Sequence, residues 1–74
     1  MKTLYTQTEA QTKLNGYIWN AAELLQSITG KVNLDQLKKF TSEFISEIKQ
    51  LGATDQQVKK AMFFVCTNFD IEIS

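Results

Sequence analysis

Apolar residues recur along this chain at helical spacing in three separate runs, and each run is bracketed by residues that start or stop a helix. In the first run Ala10, Leu14, Tyr17, Ile18, Ala21, Leu24, Leu25 and Ile28 share one arc of about 120° at about 100° per residue. Thr6 and Glu9 stand before it as a T-x-x-E capping box, Thr8 and Gln11 offer a second start two residues on, and Gly30 supplies the stop. The spacing predicts a helix over residues 7–29. Gly16 is its one internal defect, costing about 1 kcal/mol relative to Ala and marking a bend or a close approach of another backbone.

The second run, Leu34, Leu37, Phe40, Phe44, Ile45, Ile48 and Leu51, fits an arc of about 140°. Asn33 reads as its N-cap with Gln36 as the capping-box partner, Val32 as a staple onto Leu37, and Gly52 as the stop, giving a helix over residues 34–51. Thr54 and Gln57 form the next capping box, with Asp55 in the first turn where the helix dipole favours a negative charge. The stripe that follows, Val58, Ala61, Met62, Val65, Cys66 and Phe69, predicts a helix over residues 55–69. Phe63 and Phe64 leave that stripe on opposite sides, so this helix is apolar nearly all round and calls for more than one packing partner.

Residues 30–32 and 52–53 are too short for anything but tight reversals, so successive helices run antiparallel. The expected fold is all-α, a small three-helix bundle in one domain spanning residues 1–74. An alternative concerns the end of the chain, where Phe69, Ile71 and Ile73 alternate with Asp70, Glu72 and Ser74. Period two is a strand signal. A strand there would pair with residues 2–6 and add a short terminal β-pairing to the helices.

Composition narrows the function. A chain of 74 residues hides only about 60 to 65% of the surface its unfolded form exposes, so it is marginal alone. With 43% hydrophobic residues it is expected to fold, and its eight lysines balance eight carboxylates, so no net field draws it to nucleic acid or anionic membrane. The absence of Arg removes the forked contacts used to read guanine or clamp phosphate. Met1 to Tyr5 has no basic segment followed by an apolar run, and no long apolar window occurs. A cytoplasmic location without membrane contact is therefore expected.

Catalysis is not expected. Without His there is no Ser-His or Cys-His pair and no base poised near neutral pH. Cys66 lies on the apolar arc of the third helix and reads as a small core residue. Glu43 and Glu47 sit one turn apart on the outer side of the second helix and read as solvated charges. Residues 25–36 have Gly30 and Val32 where an EF-hand loop has its glycine and apolar residue. Leu25, Ser27, Thr29 and Gln36 occupy the ligand positions, so no carboxylate cage for calcium exists. Neither metal nor cofactor is expected.

Two binding readings remain. Residues 45–62, with Gly52 in the turn and Thr54 to Lys60 opening the next helix, resemble a helix-turn-helix unit of the phage-repressor type. The resemblance implies DNA contact, with Gln56 and Gln57 meeting adenine edges and Lys59 and Lys60 touching phosphates. Ile48 and Glu47 depart from that motif, which places a small and an apolar residue there. A short loop with a capping box also serves a plain antiparallel bundle, and the bundle is the preferred reading.

The other reading starts from Trp19, which projects about 180° from the middle of the first apolar arc, among Thr12, Asn15, Gly16, Glu23 and Gln26. Large aromatics on polar faces act as binding anchors, and Gly16 would admit a partner's backbone beside it. The plainer alternative packs Trp19 under the N-terminal arm or against Phe63 or Phe64. Trp19, Gly16, Glu23, Phe63 and Phe64 thus form the expected partner-binding set, serving a protein partner or a homodimer. The functional expectation is a small non-catalytic inhibitor, adaptor or regulator, of the kind phages and mobile elements encode, with DNA regulation as the alternative.

Overall fold

The structure, a computed structural model, describes residues 4–71. It contains α1 (Gln7–Thr29), α2 (Leu34–Gln50) and α3 (Asp55–Asn68), within a residue of the bounds that periodicity sets. Thr6 and Thr54 each close a reciprocal capping box, with Glu9 and Gln57 respectively. At Asn33 only half of the expected box forms: its side chain accepts the Gln36 N–H at 2.8 Å, and the Gln36 side chain does not return the bond.

Gly30 ends α1 in the left-handed region, φ 78°, and its N–H donates to the Gln26 carbonyl. The end of α2 is a Schellman cap in which the Ala53 N–H reaches Ile48 O and the Gly52 N–H reaches Lys49 O. The same device ends α3. Asp70 takes the left-handed conformation, φ 54°, and the Ile71 N–H donates to the Cys66 carbonyl at 2.9 Å. Phe69 is thereby half-buried and Ile71 buried, with Asp70 between them exposed. The period-two pattern through Ile71 is therefore the signature of a helix cap, and no strand occurs among the described residues.

Residues 72–74 of that segment, and residues 2–3 of its proposed partner, lie outside the described part. Tyr5, from the same partner segment, donates its N–H to the Leu51 carbonyl at 2.8 Å, which ties the N-terminal arm to the end of α2.

Helix α1 is the spine of the bundle. Both α2 and α3 pack along it, whereas α2 and α3 touch each other at few points. Ala10, Leu14, Ile18, Ala21 and Ala22 of α1 are buried, as are Leu37 and Ile48 of α2 and Ala61, Met62, Val65 and Cys66 of α3. Among the described residues Thr41 is the single buried polar one, and its hydroxyl donates to Leu37 O one turn earlier, so burial leaves it satisfied.

The buried face of α1 is turned from the expected arc toward α3. Gln11, Asn15 and Trp19 are half-buried on that side, while Leu24 and Ile28 remain exposed on the other. Polar residues are accommodated on this side because they are hydrogen-bonded: the Gln11 side chain donates to Gln57 O of α3 at 3.1 Å and to Asn15 Oδ1 of its own helix at 3.0 Å.

Candidate functional site

Trp19 does not stand out from the molecule as its helical angle implied. Its ring packs 4.8 Å from Phe69, edge-on, and 5.5 Å from Phe64, and its indole N–H donates to Glu23. Of the expected anchor set, Trp19, Glu23 and Phe64 thus cluster on the α1/α3 flank and satisfy one another within the chain. Gly16 is open, with nothing within 4 Å of where a Cβ would sit. Phe63 is on the far side of α3, 64% exposed.

Phe63 stands at the lip of a groove of about 790 Å³ between α2 and α3. It exists because the two helices share α1 as a partner and barely meet. Met62 and Cys66 form its buried base, and half-buried Leu34, Ile45 and Val58 form its walls. Lys38, Lys49 and Lys59 are the ionisable groups that line it besides Cys66, and they sit exposed around its opening with Ser42, Ser46 and Gln50. Lys49 is paired with Asp55.

Burial pushes the Cys66 thiol above its ordinary pKa, partly opposed by the charge of Lys38. A thiol held protonated is a poor nucleophile, so at the base of the groove Cys66 serves as an apolar wall. Among the described residues no cluster of His, Cys, Asp or Glu could hold a metal ion, and no helix is long and apolar enough to cross a membrane.

The residues implicated in DNA contact are spread differently. Gln57 is occupied: its amide donates to Gln7 O at 2.8 Å, and its side-chain oxygen accepts the Thr54 N–H at 3.1 Å. Gln56, Gln57 and Lys60 line a small polar notch of about 270 Å³ against the start of α1, while Lys59 faces the α2/α3 groove.

No protein-family model, curated protein or solved structure matches the chain.

Sequence reasoning placed Leu34, Ile45, Val58 and Met62 in the core stripes and so missed the groove they line. A signal for it was present. The stripe of α2 is wider than one neighbouring helix covers, and α3 carries apolar residues nearly all round. Phe40, counted in the α2 stripe, is exposed beside a second apolar flank. There Tyr17 stacks on Phe44 with ring centroids 3.8 Å apart.

Proposed function

We propose that this protein acts by binding another protein chain in the groove between α2 and α3, as an inhibitor, adaptor or regulator without turnover. One observation carries the reading. A concavity of about 790 Å³ with apolar walls lies open between two helices that scarcely contact each other. Leaving Phe63 exposed and Leu34, Ile45 and Val58 only half-buried forgoes burial free energy that a chain of this size can ill spare. A seated partner recovers it. The lack of His, with Cys66 held as a thiol, supports binding over catalysis.

The experiment is affinity capture from the source cell with the intact chain and with Phe63→Ser, Gln56→Ala and Lys60→Ala variants. Phe63 is exposed, so its replacement is expected to leave helical content and thermal midpoint in place. A protein retained by the parent chain, Gln56→Ala and Lys60→Ala but lost with Phe63→Ser supports the groove. Retention of duplex DNA that falls steeply with salt and is lost with Lys60→Ala would instead establish the DNA reading.

A further inference from the structure

The groove has a definite shape and sign. Its α2 wall runs from Leu34 to Gln50, roughly 24 Å at a helical rise of about 1.5 Å per residue. Its α3 wall is shorter, Val58 to Cys66. Both walls are helix surfaces whose backbone groups bond within their own helices, so no edge is offered to which an extended strand could add. Two helices flanking a common third, with a gap between them, leave the position that a fourth helix fills in a bundle.

The charged side chains that line the groove are lysines. Lys38 stands on α2 and Lys59 on α3, while Lys49 is tied to Asp55, a carboxylate that also feels the charge of Lys59. Among the described residues no Asp or Glu lines the groove, although carboxylates are as numerous as lysines in the whole chain. Balanced overall charge therefore hides a local cationic rim over an apolar floor.

We infer that the occupant is an amphipathic helix of a different protein, with large apolar residues along one face and Asp or Glu on its flanks, seated antiparallel or parallel between α2 and α3. This rests on the protein-binding reading above and adds the chemistry of the partner. Apolar side chains at i, i+3 or i+4, and i+7 of such a helix fill the space over Met62 between Ile45 and Val58. Its flanking carboxylates meet Lys38 on one wall and Lys59 on the other. A second copy of this chain fits less well. A two-fold contact of groove on groove brings the Lys38 and Lys59 rim of one copy against the same lysine rim of the other.

The test uses two synthetic helical peptides of about sixteen residues, the length of the α2 wall, with the same Leu and Phe stripe. One is flanked by Glu and the other by Lys, and each is titrated into the ¹⁵N-labelled full chain. The Glu-flanked peptide is expected to shift the amide signals of Leu34, Ile45, Val58 and Phe63. It should bind about tenfold tighter than the Lys-flanked one, and a Lys38→Glu, Lys59→Glu double variant should reverse the order. Equal binding of both peptides in the groove overturns the acidic partner and leaves the protein-binding reading intact. Shifts confined to the Tyr17 and Phe40 flank, or none with either peptide, overturn both. A homodimer in sedimentation, broken by Phe63→Ser, would make a second copy the occupant and also overturn the proposal.

Discussion

The indole of Trp19 meets the ring of Phe69 at an interplanar angle of 66°, with centroids 4.8 Å apart. That edge-to-face contact joins the middle of α1 to the residue that caps α3. Phe64 flanks it, and Glu23 accepts a hydrogen bond from the indole N–H, so the apolar body and the polar tip of the ring are both served within one chain.

Trp19 accordingly belongs to the fold. Trp19→Ala is expected to cost about 2 kcal/mol, below the roughly 3 to 5 of a fully enclosed Trp because the ring is half-buried. Trp19→Phe keeps a ring against Phe69 and forfeits the bond to Glu23, so it should cost about 1 kcal/mol. Urea unfolding followed by circular dichroism measures both. A loss under about 0.5 kcal/mol for Trp19→Ala would return the ring to the role of a surface anchor.

The three helices were legible because each carries its boundaries in adjacent residues: Thr6, Asn33 and Thr54 at the starts, Gly30 and Gly52 at the reversals. What periodicity could not settle is which neighbour each stripe meets. An arc centred on apolar residues alone ignores Gln11, which reaches the Gln57 carbonyl of α3, and Asn15, which accepts from Gln11 within α1. That rotation half-buries Trp19 and leaves Leu24 and Ile28 exposed. Asp70 hid the second ambiguity, since a left-handed cap without glycine gives no sequence signal distinct from a short strand. The groove was illegible for a related reason: Ile45 and Val58 look like core residues until the spacing of α2 and α3 is known.

Acid should weaken the molecule partly through Asp55. Its carboxyl is held below the usual carboxylate pKa, first by the hydrogen bond from Lys49, then by the charges of Lys49 and Lys59, with desolvation opposing. A carboxylate whose pKa is lower folded than unfolded contributes stability above its unfolded value. That contribution disappears as pH falls through the folded value. Thermal midpoints followed from about pH 7 to about pH 2 should therefore drop further for the parent than for Asp55→Asn. The difference should be small, since the group is fully exposed, and should shrink in about 1 M salt. Identical profiles would mean that the Lys49 pair does not hold in solution.

Gly16 separates a helix defect from a contact surface. It lies inside α1 with ordinary helical backbone, and an added Cβ would meet nothing within 4 Å. Gly16→Ala removes backbone freedom from the unfolded chain without steric cost, so stability should rise by about 1 kcal/mol and the thermal midpoint by about 4 to 8 °C. Because Gly16 is not among the residues lining the α2/α3 groove, the Glu-flanked peptide should bind the variant as it binds the parent. A midpoint that rises while binding is lost would mean that a partner's backbone rests against α1 at this position, and the docking face would then be the Trp19 side of the molecule. A midpoint that falls would mean that the helix bends at Gly16 in solution and needs the glycine to do so.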